Sequence, residues 1–404
     1  MPELLRALAH RNYRLYFFGQ LFSLAGTWMQ RIAMSWLVYR LTGSTLMLGL
    51  VSFAGQIPVL VLALFGGVLS DRYDQRVMLL WTQSLALGQA VLLAALTLSG
   101  AVLPWHLILM ALCLGIINAI DTPARQAFVV QLVDNRADLG NAIALNSFTM
   151  NAARFIGPSI AGVVVGLAGE GVCFLINAAS YLAVILALRA MRTGKPEKRK
   201  HAPAGEAILQ GLRYAYGVPG IRHLLFLVAA VSFFVTPYVV LLPYFAREVY
   251  AGGAQTFGFL SAAAGAGALL GTLHLASQRG VAGLSRIIGR AALLAGLALI
   301  AFAVSSRLWL AVAALLVLGF CVISVIASCN TLIQSFVEDA LRGRVMSLFT
   351  MAFLGVAPLG GLAAGWLAEH AGPRATLLIF AAAAIVAAAL FIMRRDGYSE
   401  TVEF

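Results

Sequence analysis

Gly66-Gly67-Val68-Leu69-Ser70-Asp71-Arg72-Tyr73-Asp74-Gln75-Arg76 is a short polar hinge between two apolar runs, at about residues 46–69 and 77–98. Each run is long enough for an α-helix to cross a bilayer, which takes roughly 20 apolar residues. Glycines close the first run and permit close helix approach. Acids and arginines then gather at the membrane face, where they can pair with one another and with helix ends. A positively charged anchor needs only the arginines; Asp71 and Asp74 add nothing to it. The stretch therefore reads as a charged hinge between two membrane spans.

Reading outward, the same alternation continues over the whole chain. Of its 404 residues 61% are hydrophobic and only 11% charged, and the mean hydropathy is +0.91. A soluble chain carries roughly 25% charge, so a soluble domain is excluded. Further spans are read at about residues 15–39, 104–124, 143–167 and 172–190, and then at about 222–245, 256–277, 287–304, 308–335, 345–369 and 375–393. The expected architecture is an all-α integral membrane protein with twelve transmembrane helices.

The net charge of +12 sorts by location. With the N-terminus in the cytoplasm, the 28 Lys and Arg residues collect on the inner side; only Arg40, Arg247, Arg307 and Arg374 fall outside, and Arg31 and Arg154 within spans. The inverted topology violates the positive-inside rule. The excess therefore reports orientation, and no basic patch interleaved with exposed aromatics points to nucleic acid. The first apolar stretch is of span length and follows Arg6, Arg11 and Arg14, which fits a retained cytoplasmic N-terminus instead of a cleaved signal peptide. Cys113, Cys173, Cys321 and Cys329 all lie in apolar spans without a Cys-x-x-Cys pair, so neither a disulfide framework nor a metal site is expected. There is no Gly-x-x-x-x-Gly-Lys-Ser/Thr sequence for nucleotide binding. No Ser/His/Asp or paired-carboxylate set marks an enzyme, and no cofactor is expected.

The organisation expected is an N-terminal six-helix half (1–190), a basic linker (191–220), a C-terminal six-helix half (221–393) and a cytoplasmic tail (394–404). The linker carries Lys195-Pro196-Glu197-Lys198-Arg199-Lys200 and then residues 205–214, which can form a short amphipathic helix at the inner membrane surface. A solvated tether explains the same charge run equally well. An internal echo supports a duplication: Asn146-Ser147-Phe148-Thr149-Met150 precedes Gly157-Pro158 and Gly162, while Met346-Ser347-Leu348-Phe349-Thr350-Met351 precedes Pro358, Gly360-Gly361 and Gly365. Two six-helix repeats of the same orientation are a transporter pattern, with the site near the bilayer midplane.

The 66–76 stretch resembles the loop signature of the major facilitator superfamily, close to Gly-x-Leu-Ala-Asp-Arg-x-Gly-Arg-Arg, with Asp74 in place of the usual Gly and Gln75 in place of a basic residue. The resemblance implies the major facilitator fold and a cytoplasmic gate built on Gly67, Asp71, Arg72, Arg76 and Asp121. In it Asp71 caps a helix of the opposite half, starting near Val345, and pairs with a loop arginine, while Arg76 and Asp121 complete a charge cluster. The corresponding loop Ser277-Gln278-Arg279-Gly280 lacks the acid, so it should latch weakly. Asp121-Thr122-Pro123-Ala124-Arg125-Gln126-Ala127-Phe128, Asn141-Ala142, Leu145-Asn146-Ser147, Arg154 to Gly162, Trp36-Leu37-Val38-Tyr39 and Leu41-Thr42-Gly43-Ser44 resemble the bacterial branch of enterobactin-exporter-like and macrolide-efflux-like carriers. That branch implies a monomer in the bacterial inner membrane, with both termini cytoplasmic, exporting small amphipathic molecules.

Embedded polar residues suggest a cavity lining. Gln20, Ser23, Thr27, Gln30 or Arg31, and Met34 recur at helical spacing in the first span. Asn151 and Arg154 share a side of the fifth, Thr236 and Tyr238 lie in the seventh, and Ser328 and Thr331 in the tenth. Candidate substrate contacts are thus Thr27, Gln30, Arg31, Asn151, Arg154, Thr236, Tyr238, Ser328 and Thr331. Helix packing through small and hydroxyl residues is the competing explanation for each Ser and Thr, as it is for Gly162-x-x-x-Gly166, Gly267-x-x-x-Gly271 and Gly361-x-x-x-Gly365. Arg31 and Arg154 resist it, because an arginine near the bilayer centre costs roughly 2.5–3.5 kcal/mol unless it faces protein or water. One or both are expected to face the cavity and attract an anionic or electron-rich group of the substrate, or a counter-ion; a structural role, bonded to helix carbonyls, explains each arginine equally well.

The function expected is secondary active export of a small amphipathic molecule by alternating access, coupled to a proton or another ion. No acid sits among the first, fifth, seventh and tenth spans to carry a proton; Asp121 is the best-placed candidate, ahead of His106 and His274. A lipid or lysolipid translocator of the same fold is the nearest alternative, and a non-transporting membrane receptor or scaffold the alternative of another class.

Overall fold

The computed structural model describes residues 3–133, 138–191, 213–278, 280–281 and 283–399. The expected amphipathic segment at 205–214 falls outside them except for its last two residues, and Arg279 of the loop at 277–280 falls outside as well. Among the described residues the chain is helical without strands. A 3₁₀ turn, Glu3–Ala9, leads into α1 (Arg11–Thr42), α2 (Thr45–Arg72), α3 (Gln75–Leu98), α4 (Pro104–Gln131), α5 (Leu139–Ala168) and α6 (Glu170–Ala190). The second set is α7 (Pro219–Val249), α8 (Ala254–Ser277), α9 (Leu284–Val304), α10 (Leu308–Phe336), α11 (Leu341–Ala371) and α12 (Pro373–Ser399).

From α2 to α12, 11 helices are both long and apolar enough to cross a membrane. Helix α1 has ample length at 32 residues, but Gln20, Ser23, Thr27, Gln30 and Arg31 dilute its apolarity. These polar residues occur where α1 packs against α5 and α6: Gln20, Ser23 and Gln30 are all buried. A span enclosed by protein need not be as apolar as one facing lipid.

Helix ends follow local chemistry. Gly43 terminates α1 in the left-handed region (φ 63°), donating its N–H to Tyr39 O at 2.8 Å. Asp74 caps α3, accepting from the Arg76 and Val77 amides at 2.8 and 3.2 Å. The departure from the usual Gly is thereby explained: the side chain satisfies two of the orphan donors that begin α3. Helix α7 contains π turns at Val231–Val235 and Phe245–Val249, and α11 has one at Met351–Gly355, which bulge the backbone where a residue is added to the turn.

The helices group into two compact units. One comprises residues 1–43, 54–201 and 252–262; the other comprises 44–53, 202–251 and 263–404. In the first, a buried core joins Tyr13, Tyr16, Leu79, Phe128, Leu132 and Leu188. The first turns of α8 belong to this unit because Gly162 of α5 meets Gly258 without side chains between them: a Cβ on Gly162 would lie 2.9 Å from Gly258 Cα and 3.0 Å from Ala254 O. In the second unit, the first turns of α2 interlock with α11 in the same manner. A Cβ on Gly49 would lie 3.0 Å from Gly361 O and 3.2 Å from Gly365 Cα. Gly267 and Gly271 give α8 its close approach to α10 at Leu316 and Phe320. All three Gly-x-x-x-Gly pairs are thus points of backbone contact, where van der Waals packing replaces the hydrophobic drive absent in lipid.

Candidate functional site

The embedded arginines converge on one aromatic ring. Trp28 stands one turn before Arg31 on α1, and Gly157 of α5 packs directly on it: a Cβ at Gly157 would lie 2.5 Å from Trp28 Cβ and 2.9 Å from Ala25 O. That approach brings Arg154, one turn earlier on α5, over the same indole. The guanidinium carbons of Arg31 and Arg154 lie 5.1 and 5.3 Å from the Trp28 ring centroid. Cation–π contacts of this kind contribute about 0.5–2 kcal/mol each, more when desolvated. They offset part of the cost of bringing two like charges close together. Among the described residues Arg31 forms no ion pair or hydrogen bond; it is exposed and Arg154 half-buried. The cluster joins two guanidiniums to one aromatic ring, with Arg31 at its exposed edge.

Other predicted contacts lie elsewhere. Gln30 is fully buried and belongs to an amide chain: Asn177 Nδ2 donates to Gln30 Oε1 at 2.7 Å, Gln30 Nε2 donates to Gln89 Oε1 at 2.9 Å, and Gln89 Nε2 donates to Met110 O at 3.2 Å. The chain ties α1 to α6, α3 and α4. Thr27 donates to Ser23 O at 2.9 Å and lies 3.1 Å from the Tyr181 hydroxyl of α6. Asn151 Nδ2 donates to Ser147 O at 2.9 Å within α5.

In the second unit Thr236 and Thr331 donate to carbonyls of their own helices, Ser232 O at 2.6 Å and Ala327 O at 3.0 Å. Hydroxyls back-bonded in this way are part of helix packing. Ser328 is fully buried with an unpartnered hydroxyl among the described residues, and Tyr238 is buried. Phe233, Phe234 and Phe380 form an aromatic cluster, with ring centroids 4.8–6.1 Å apart.

At the other end of the first unit lie the residues read as a gate. Asp121 is buried on α4; Thr82 Oγ1 and Gln83 Nε2 donate to its Oδ1 at 2.7 and 2.8 Å, and Arg125, one turn on, pairs with its Oδ2. Arg76 is not joined to Asp121. It donates to the last carbonyls of α6, Leu188 O at 2.8 Å and Arg189 O at 3.0 Å, where a cation complements the helix dipole. Gln75 bridges α2 and α4, donating to Ser70 O at 2.5 Å and accepting from Gln131 Nε2 at 2.9 Å. Gly66, not Gly67, makes the close approach to the Ala119 carbonyl of α4; a Cβ on Gly67 would meet open space. Arg72 is exposed at the C-terminus of α2, and Asp71 precedes it on the same last turn.

Sequence reading missed Trp28, Arg125, Gln89 and Asn177. The first two carried a signal: Trp28 precedes Arg31 by one turn, and Arg125 follows Asp121 at the i,i+4 spacing of helical ion pairs. The two amides carried none, because which helix they face depends on packing.

Two carboxylates fasten the remaining helix ends. Glu170 at the start of α6 receives Arg40 of α1 in a two-pronged pair at 2.8 and 3.1 Å. Glu369 of α11 sits on the N-terminus of α2. Its Oε2 accepts from the amides of Thr45 and Leu46 at 2.8 and 3.2 Å and from the hydroxyls of Thr45 and Ser44 at 2.9 and 3.1 Å.

Eleven helices long and apolar enough to cross a membrane, together with α1 of 32 residues, give a multi-pass membrane protein of the major facilitator fold. A solved bacterial homologue of the human lysosomal transporter Spinster shares the fold, with a TM-score of 0.73, covering 97% of this chain and 98% of that one at 15% identity. The sequence profile of the transmembrane secretion effector family matches residues 4–400, and the chain belongs to that family. It is 28% identical to the staphyloferrin A transporter of Staphylococcus aureus, covering 86% of this chain and 87% of that one. It is 26% identical to the multidrug efflux pump Tap of Mycolicibacterium fortuitum (90% and 91% covered) and 27% identical to the enterobactin exporter EntS of Shigella flexneri (88% and 86% covered). The protein is an efflux or secretion transporter and not an enzyme.

Proposed function

We propose that the chain exports a small amphipathic molecule with an anionic or electron-rich group from the bacterial cytoplasm, by alternating access and coupled to an ion gradient. The observation that carries this reading is the placement of Arg31 and Arg154 over Trp28. Two guanidiniums beside one indole supply planar donors for a carboxylate, phenolate or similar acceptor, and the ring supplies apolar surface for the rest of the ligand. Arg31 and Arg154 bind the ligand's charge, with Thr27 and Asn151 of the same unit nearby in sequence. Thr236, Tyr238, Ser328 and Thr331 are the candidate contacts of the second unit, where the buried Ser328 hydroxyl has no partner among the described residues and the two threonine hydroxyls are held by their own helices. Gln30 contributes indirectly, by holding α1 in place.

Gating runs through the hinge after α2 (Gly67, Asp71, Arg72 and Arg76) together with Asp121. The protein works as a monomer in the inner membrane with both termini cytoplasmic and uses no cofactor. The test is ligand binding to purified protein and to Arg31→Gln/Arg154→Gln. Anionic amphiphiles should lose at least tenfold in affinity and cationic ones should not. Equal affinity of both proteins for every anionic ligand bound would overturn the assignment.

A further inference from the structure

Within the second unit a cleft of about 290 Å³ opens between α7, α11 and α12, lined by Phe226, Ala230, Phe233, Val356, Val386 and Leu390 among others, with no polar side chain. It is distinct from the arginine cluster. Phe226, Val386 and Leu390 are exposed at its edge, and they lie on helices that cross the membrane, so hydrocarbon is the phase that meets it. A substrate pocket ordinarily holds a few polar groups that fix orientation; this cleft offers none. Phenylalanines on α7 and small or branched aliphatic residues on α12 leave a slot suited to a flexible methylene chain.

The two helices carry that slot toward charge. On α7, Arg222 precedes Phe226 by four residues, and on α12, Arg394 follows Leu390 by four, so each basic residue continues the face that lines the cleft, about 6 Å further along the helix. At this mouth Arg394 Nη1 lies 3.2 Å from His223 Nε2, joining the two helices. Arg222 is held 5.0 Å over the Tyr216 ring and donates to Tyr216 O at 3.3 Å. Neither arginine is paired with a carboxylate among the described residues, and each retains further donors in its planar fork. An apolar slot ending at two guanidiniums matches an acyl chain ending at a phosphate.

We propose that this cleft binds one acyl chain of an anionic glycerophospholipid, with the headgroup phosphate held by Arg222 and Arg394. The bound chain covers the flank of α7 beside its Val231–Val235 π turn, where the helix is irregular, and so stabilises the transporter in membranes rich in such lipids.

The test is native mass spectrometry of the full-length protein in mild detergent, titrated with phosphatidylglycerol or with phosphatidylcholine of the same chains. Phosphatidylglycerol should be retained at about tenfold lower concentration, as expected for two basic contacts at the interface. Arg222→Gln/Arg394→Gln should bring the two lipids within about threefold of each other. Ala387→Phe, which fills the slot and leaves the charges, should lower retention of both. A phosphatidylglycerol with a photoreactive acyl chain, applied to the unaltered protein, should label peptides of α7 and α12. Equal retention of the two lipids, a preference that survives removal of both arginines, or labelling confined to other helices would each overturn the proposal.

Discussion

Asp121 and Arg125 form an ion pair one helical turn apart inside the first unit, and Thr82 and Gln83 of α3 complete the carboxylate's coordination at 2.7 and 2.8 Å. The pair lies within α4, and the Thr82 and Gln83 hydrogen bonds tie its carboxylate to α3. Removing one partner of a buried pair strands the other, at about 3–5 kcal/mol. Thr82→Ala removes a single hydrogen bond, worth about 1 kcal/mol. Thermal unfolding in detergent should therefore rank Arg125→Leu as far more destabilising than Thr82→Ala. Similar midpoints for the two variants would show that the pair is screened by water and contributes little.

The arrangement of Trp28 predicts a graded response at one position. Trp28→Phe keeps a ring face and should retain binding of an anionic amphiphile within a few-fold. Trp28→Leu removes the ring beside both guanidiniums and should weaken it by about 2- to 30-fold, corresponding to about 0.5–2 kcal/mol of lost cation–π contact. Isothermal titration of the two variants separates a requirement for the ring from a requirement for bulk.

Glu369 holds the first turn of α2 through four donors on a single oxygen. Glu369→Gln keeps the shape but removes the charge that favours a helix N-terminus. With Leu46→Cys as a reporter, labelling by a membrane-impermeant maleimide should accelerate several-fold in the Glu369→Gln background. An unchanged rate would show that the glycine interlock at Gly49 and Gly365 holds α2 by itself.

Asp74 supplies a local test. Asp74→Ala should destabilise the start of α3 by about 1 kcal/mol, and Asp74→Gly by only a few tenths, because glycine is itself an acceptable N-cap. Hydrogen exchange at the Arg76 and Val77 amides reads the difference: faster in both variants, with the larger loss of protection in Asp74→Ala.

The twelve helices were legible in the sequence because bilayer thickness fixes span length and the chain marks each end with charge, glycine or proline. The arginines at depth were legible for the same reason, since nothing else in the composition resembles them. What escaped was direction. The polar stripe of α1 reads as one face lining a cavity, yet Gln30 points into α3 and α6 while Arg31, its neighbour, lies by Trp28 at the exposed edge of the cluster. Adjacent helical residues point about 100° apart, and only packing decides which face is interior. The hinge shows the same limit. Arg76 and Asp121 fit one cluster by charge, but the carbonyls at the end of α6 claim Arg76, and Arg125 reaches Asp121 from its own helix. Gly66 and Gly67 are indistinguishable as letters, and only the position of the Ala119 carbonyl separates them.

Uptake into inverted membrane vesicles tests the export claim most directly, across a panel of anionic, neutral and cationic amphiphiles, with the pH gradient and the voltage collapsed separately. The account predicts protein-dependent accumulation of an anionic or electron-rich member of the panel, abolished by collapsing one of the gradients and reduced at least tenfold in Arg31→Gln/Arg154→Gln. Accumulation no greater than in vesicles lacking the protein, or equal accumulation by the double variant, would contradict it.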